Sequence, residues 1–435
     1  MNLSITRLLS ASFFTFFIKA LGAGLSFIVS ILITRYLGVN GAGVYFLCFS
    51  IFILFGTVVR LGLDIVIIKR ASIHYIDNDF GSIVTLYKKI ILVVVPLSLL
   101  LTSFLYLTSS YVGEIIFKSE DISSVLKFMG WGVLFFALCN INSSFFLATA
   151  QIKQSSLFIA IIIPLLFIAF LYSMPTLMEL TPPLVFGMYC FSSFLVFVIS
   201  FLFLKRSLHF PLSTKNGFST KDLLKSAFPI YVTVIIDLLV LITPQLLLGA
   251  LFSEESVAIF SVCLRISTLI GFIFVSASRV AAPQIASLYD KGDLTKLNIL
   301  VVKLTRILFI VAFFVSIIVF IFPNIFLGFF GKEYEAGAQT LRCFALLQLV
   351  LVFYGMSKTL LQMTKFEKEC RNVTFYYFVL NTTICLVLIP HFTYFGAALS
   401  VLISTSLIAF YTTYLVKKHL GISIFSSKKE ANTCA

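Results

Sequence analysis

Charge is scarce in this chain. Asp, Glu, Lys and Arg make up 11% of its 435 residues, less than half the ~25% of a soluble domain. With 60% of residues hydrophobic and a mean hydropathy of +1.08, a single soluble core would have no polar surface to turn to water, which excludes a soluble fold. Metal-ligand spacing is missing too. His74, His209, His391 and His419 lie far apart, and none forms a His-x-x-x-His pair. The eight cysteines sit in apolar stretches or in segments expected on the cytoplasmic side; no external loop carries a pair, so no disulfide is expected. Nor is there a nucleophile motif or a cofactor site. Gly22-Ala23-Gly24 lies inside an apolar run with no strand before it, and reads as close helix packing rather than a phosphate loop. Paired external carboxylates occur only as Glu254–Glu255 in a tight turn, and the external loops are too short to hold a folded catalytic site. The net charge of +14 comes without a basic domain or lysine tract, so no nucleic-acid partner is expected.

What is abundant is apolar sequence. A bilayer core of about 30 Å needs about 20 helical residues. On that measure twelve spans are predicted, at 11–34, 42–68, 90–109, 125–149, 155–173, 183–204, 229–252, 256–280, 303–323, 339–362, 372–390 and 394–416. The first run, from Leu8 to Thr34, is too long for a signal peptide and reads as a retained helix. Lysine and arginine set the orientation. With the N-terminus inside, the external segments hold only Arg35, Lys118 and Lys332, with Lys127 and Arg342 at helix starts, and most of the others fall on the opposite side. The chain is therefore expected to be multi-pass, with both termini cytoplasmic and the lipid bilayer as its surroundings.

The longest connection, after Leu204, includes the amphipathic run Phe218-Ser-Thr-Lys-Asp-Leu-Leu-Lys-Ser-Ala-Phe228, predicted as a short interfacial helix. It divides the chain into an N-terminal bundle (1–204), a cytoplasmic linker (205–228), a C-terminal bundle (229–416) and a basic tail (417–435). Each half opens with two long spans joined by a tight external turn, and when the sequence is offset by 214 residues Phe46 falls on Phe260. Two sets of six spans keep one orientation, so a parallel repeat is expected. The fold class read from this pattern is an all-α integral membrane protein, with about twelve helices in two six-helix bundles related by a pseudo-twofold axis along the membrane normal.

Few charges break the apolar runs. Lys19, Arg60, Asp64, Asp237 and Arg265 lie well inside spans, and a charge at the bilayer centre costs roughly 2.5–3.5 kcal/mol on insertion scales. Their retention points to a polar cleft. Arg60 and Asp64, spaced i, i+4, can pair on one helix face. Lys19 and Asp237 could pair with each other as a lock without a ligand role. Arg265 has no obvious partner in sequence. Lys358, near the inner end of its span, can snorkel or join a site. Gln245, beside Pro244, is read as a polar lining group at a bend. Asn140 and Asn142 are read as helix–helix hydrogen-bonding residues.

Three segments carry a family resemblance: Lys19-Ala-Leu-Gly-Ala-Gly-Leu-Ser through Thr34-Arg-Tyr-Leu-Gly-Val-Asn-Gly-Ala-Gly-Val-Tyr; Gly62-Leu-Asp64 followed by Lys69-Arg70; and Phe330-Gly-Lys-Glu-Tyr-Glu-Ala-Gly-Ala. In this order, and over its full length, the chain resembles bacterial polysaccharide-biosynthesis membrane proteins and is similar to Wzx-type O-antigen flippases, of the superfamily shared with MATE exporters and the lipid II flippase. The resemblance implies a protein of the bacterial inner membrane in which two bundles face a central cavity. It would move an undecaprenyl-diphosphate-linked oligosaccharide, an O-antigen or capsule unit for lipopolysaccharide-type biosynthesis, from the inner to the outer leaflet by alternating access. Lys19, Arg60, Arg265 and Lys358 would then contact the diphosphate. Asp64 and Asp237, with Gln245, would position those cations or bind a coupling H+ or Na+. A polysaccharide polymerase and other assembly proteins are candidate partners. A cation-coupled drug exporter of the same superfamily, which wants an acidic cavity, and a polysaccharide polymerase or ligase are the alternatives.

Overall fold

The computed structural model describes residues 5–174, 179–208 and 219–422. Among them every regular element is helical: α1 (Ile5–Arg60), α2 (Leu63–Ile76), α3 (Phe80–Ser110), α4 (Glu120–Ala148), α5 (Ile152–Leu157), α6 (Ile163–Ser173), α7 (Pro182–Ser207), α8 (Thr220–Leu251), α9 (Glu254–Asp290), α10 (Leu294–Ile321), α11 (Pro323–Gly328), α12 (Ala338–Gln362) and α13 (Glu367–Leu420). A π-helical turn, Phe158–Ile162, joins α5 to α6, and another, Tyr111–Ile116, extends α3.

Among the described residues ten helices are long and apolar enough to cross a membrane. Two of them hold two crossings each. α1 breaks at Gly38 (φ 68°, ψ −176°), a conformation that glycine adopts without the Cβ clash. α13 breaks at Thr393 (φ 50°, ψ −129°), just past Pro390, whose ring cannot donate to the helix ladder. Counted this way, the helices supply the twelve crossings expected, and the chain is a multi-pass membrane protein. Large apolar side chains stand exposed along the spans, Leu107 at 80% and Phe410 at 81%, as hydrocarbon rather than water would permit.

The helix starts follow local chemistry. Asp79, Ser119, Ser253 and Asp293 accept backbone N–H groups at the starts of α3, α4, α9 and α10. At Asp293 the Lys296 side chain and backbone N–H both donate, and they hold the carboxyl below its usual range. Pro182 and Pro323 sit at the first turns of α7 and α11, where a missing N–H costs nothing.

Two expected boundaries differ. The span over 42–68 is not one helix. It stops at Arg60, and the chain turns through Leu61 (φ 49°) and Gly62 (φ 71°) before α2 begins. Gly62 is needed twice here: for the left-handed backbone, and because a Cβ would lie 3.0 Å from the backbone N of Tyr231 and 3.1 Å from the carbonyl of Ala227. The short interfacial helix expected at 218–228 is instead the opening of α8, which runs on unbroken from Thr220 through Pro229 and Pro244 to Leu251. Tight packing of this opening against the Gly62 turn gives it tertiary support that a surface helix would lack.

The chain forms two compact units, Met1–Leu238 and Leu239–Ala435. In the first, α4 is the axis, packed by α1, α2, α3 and α7. Its buried Asn142 accepts from the Tyr87 hydroxyl at 3.0 Å and donates to Ser200 Oγ at 2.9 Å, tying α3, α4 and α7 together; Asn142 thus has the helix-bonding role expected of it. Asn140 donates only to the Phe136 carbonyl of its own helix. The glycine pair expected to pack closely does so at Gly22, where a Cβ would fall 2.6 Å from the Ala160 carbonyl oxygen; nothing lies near Gly24. In the second unit α12 is central, against α9, α10 and α13.

Small residues set these crossings, as expected where lipid supplies no hydrophobic drive between helices. Gly130 of α4 meets Thr102 of α3 so closely that a Cβ would lie 2.5 Å from Thr102 Cγ2. Gly130→Ala should therefore lower the thermal midpoint of the detergent-purified protein, at an overpacking cost of about 1–3 kcal/mol. Gly187→Ala, where nothing lies within 4 Å, should leave the midpoint in place. Equal midpoints for the two variants would show that the α3–α4 contact is slack.

Candidate functional site

In the first unit the charged residues named from sequence are Arg60 and Asp64, which form a cluster, and Lys19 and Asp237. Arg60, the last residue of α1, sends Nε to the Gly56 carbonyl (3.0 Å), Nη1 to Asp64 Oδ2 (3.0 Å) and Nη2 to Thr57 Oγ1 (3.0 Å). The pair is shielded, with side-chain exposures of 15% and 28%. It does not lie on one continuous helix face as the spacing suggested. It spans the turn at Leu61–Gly62, and Asp64 also accepts from the Ile65 N–H (3.2 Å) in the first turn of α2. The cluster thus holds two helices at a fixed angle. The guanidinium is directed to three partners within the protein, which leaves it poorly placed to grip a ligand.

Lys19 on α1 and Asp237 on α8 are both half-buried. Asp237 is about 20 Å from the α8 C-terminus at 1.5 Å per residue, well within the span. Both have contacts inside the protein.

In the second unit, Arg265 is half-buried on α9, about 16 Å from the start of that helix at 1.5 Å per residue, near the middle of a ~30 Å core. The backbone around it is engaged, its carbonyl accepting from Thr268 Oγ1 at 2.8 Å. Lys358, half-buried on α12, places Nζ 5.8 Å from the ring centre of Tyr354, a cation–π contact. Tyr354 stands edge-on to Tyr377, whose hydroxyl lies 2.7 Å from Thr405 Oγ1. Lys358 therefore belongs to an aromatic, hydroxyl-lined cluster between α12 and α13. Gln245, read as a lining group at a bend, is 5% exposed and donates to Ser261 Oγ at 2.9 Å. This ties α8 to α9, and α8 has no break at Pro244.

Some polar residues stood out less in the sequence. Gln348 of α12 donates to Ser267 of α9. Asn381 donates to the Val240 carbonyl (3.2 Å) and accepts from Ser404 (2.9 Å). An amide inside an apolar run was the available signal. Among the described residues no group of three His, Cys, Asp or Glu side chains could hold a metal.

Residues 8–289 match the family described as polysaccharide biosynthesis protein, and residues 229–389 match the MatE family. No curated protein matches the chain. Among solved structures, the chain resembles the inward-facing form of a multidrug resistance MATE family transporter of the MOP superfamily, at TM-score 0.73 and 13% identity over 92% of this chain and 94% of that one. The outward-facing form of such a transporter gives TM-score 0.67 and 14% identity, covering 94% of this chain and 95% of that one. A MOP superfamily transporter from Pyrococcus furiosus gives TM-score 0.65 and 13% identity, with 94% and 95% covered. The fold is that of MATE-like MOP transporters, as the sequence resemblance implied.

Proposed function

Since this chain belongs to the polysaccharide biosynthesis protein family, whose members, like those of MatE, are transporters and flippases rather than enzymes, we propose that it carries a lipid-linked oligosaccharide from the cytoplasmic to the periplasmic leaflet of the bacterial inner membrane. The family match over residues 8–289 carries this reading, and the charges inside the spans support it. Sugars cannot enter hydrocarbon, and a diphosphate bears negative charge, so the substrate requires cations at depth. Lys19 and Arg265 supply one in each unit, and Arg suits phosphate oxygens in geometry. Lys358 with its tyrosines is a further contact point, for sugar rings as well as phosphate. Arg60 and Asp64 are a structural lock in this reading, and Asp237, deep within its span, is the candidate acid for a coupling H+ or Na+. Transport would proceed by alternating access, the bound head group meeting each side of the membrane in turn.

The second reading, a cation-coupled drug exporter, is favoured by the MatE match. Cationic drugs need an acidic interior, and the acids within the spans, Asp64 and Asp237, stand against the bases Lys19, Arg60 and Arg265. The P. furiosus transporter is described as having a binding pocket of reversed polarity that suggests a different function. Interior polarity is accordingly the property on which the two readings part.

Expression in a strain lacking its own oligosaccharide flippase separates them. The flippase reading expects restored surface polysaccharide and an unchanged drug-resistance profile. Raised resistance to cationic compounds without restored polysaccharide would replace it with the exporter reading.

A further inference from the structure

Outside the residues considered so far, the first unit has a groove of about 360 Å³ between α2 and the opening of α8. Two neighbouring rows of α2 border it. Ile65, Lys69 and Ile73 form one, spaced i, i+4, i+8; Val66, Arg70 and His74 form the next. Ser226 and Ile230 of α8 border the other side. Arg70 Nη2 points across the groove to Ser226 Oγ at 3.5 Å. His74 Nδ1 stands 3.7 Å from Asp79, the residue that caps α3.

The order along the first row is apolar, basic, apolar. Ile65 and Ile73 are 42% and 55% exposed, with exposed Lys69 between them. A soluble phosphate would bind the cations and leave both isoleucines in water. Plain anchoring lysines would not line a cleft between helices. An amphiphile meets both demands, its acyl chains against Ile65, Ile73 and Ile230 and its phosphate between Lys69 and Arg70. The lysine and arginine bias of the loops puts this end of the helices on the cytoplasmic side, where anionic lipid attracts basic pockets between spans. We propose that the α2–α8 groove is a binding site for the head group of an anionic phospholipid of the cytoplasmic leaflet, with Lys69 and Arg70 holding the phosphate. The bound lipid would bridge α2 to α8 beside the Gly62 turn. The proposal does not depend on which substrate the protein transports.

Native mass spectrometry of the full chain in detergent tests it, with phosphatidylglycerol, phosphatidylcholine and inorganic pyrophosphate as probes. Wild type should retain phosphatidylglycerol about tenfold better than phosphatidylcholine, and Lys69→Gln/Arg70→Gln should abolish that preference. Lys205→Gln/Arg206→Gln, which removes the same charge from exposed positions at the end of α7, should keep it. If the groove variant fails to fold, the exposed Lys69→Gln alone should still reduce retention about fivefold. An unchanged preference in the groove variants, an equal loss in the α7 control, or full displacement of the lipid by equimolar pyrophosphate would each overturn the proposal.

Discussion

Replacing Arg265 with alanine should reduce surface polysaccharide in the complementation assay about 30-fold or more, since truncating one partner of a desolvated charge pair typically costs 2–5 kcal/mol. The expectation comes from depth. Arg265 lies far enough along α9 to be near mid-bilayer and is half-buried there, where a charge is costly to keep. Arg265→Lys keeps the charge but loses the fork, and should recover only part of the activity. Membrane abundance and detergent stability of each variant should be measured alongside. Full polysaccharide with Arg265→Ala at normal abundance would remove the cation from the mechanism.

Asp64→Ala should destabilise the protein by roughly 3 kcal/mol, because it leaves a shielded guanidinium without its counter-charge. The thermal midpoint in detergent should drop accordingly. Arg60→Met/Asp64→Leu removes both charges, replaces them with apolar groups of similar size, and should recover most of the loss. Transport should follow stability in this series. If Asp64→Ala instead kept its midpoint and lost transport, the carboxylate would be an ion-coupling group and the lock would be disproved.

Much of the fold was legible because hydropathy acts over twenty residues at a time, and no local detail can hide twelve apolar runs. The turn at Gly38 could be read from its glycines. The end of α1 could not: Leu61-Gly62 sits in an apolar run, and the left-handed backbone there is held by the approach of Tyr231 and Ala227, a tertiary contact with a distant segment. The same contact explains why the opening of α8 is part of a long helix when its pattern suggested a short surface one. At the site, spacing identified the Arg60–Asp64 pair. It could not show that Gly56 and Thr57 complete the guanidinium's shell, the observation behind the proposed lock. The partner of Gln245 was hidden for a related reason, since Ser261 comes from the next helix. Lys69 and Arg70 fall among the many cytoplasmic-side cations of the sequence, and only the approach of α8 gives their groove its second wall.

The π-helical turn at Phe158–Ile162 carries one residue more than an α turn requires. It lies between α5 and α6, so removing a single residue there would let the segment relax into ordinary helix while the stretches on either side kept their partners. In the α-helical parts of the spans, the same deletion would rotate everything downstream by about 100° and turn lipid-facing side chains inward. Length variation among descendants of this sequence would thus be tolerated at this turn and penalised in α4, most of whose residues are buried.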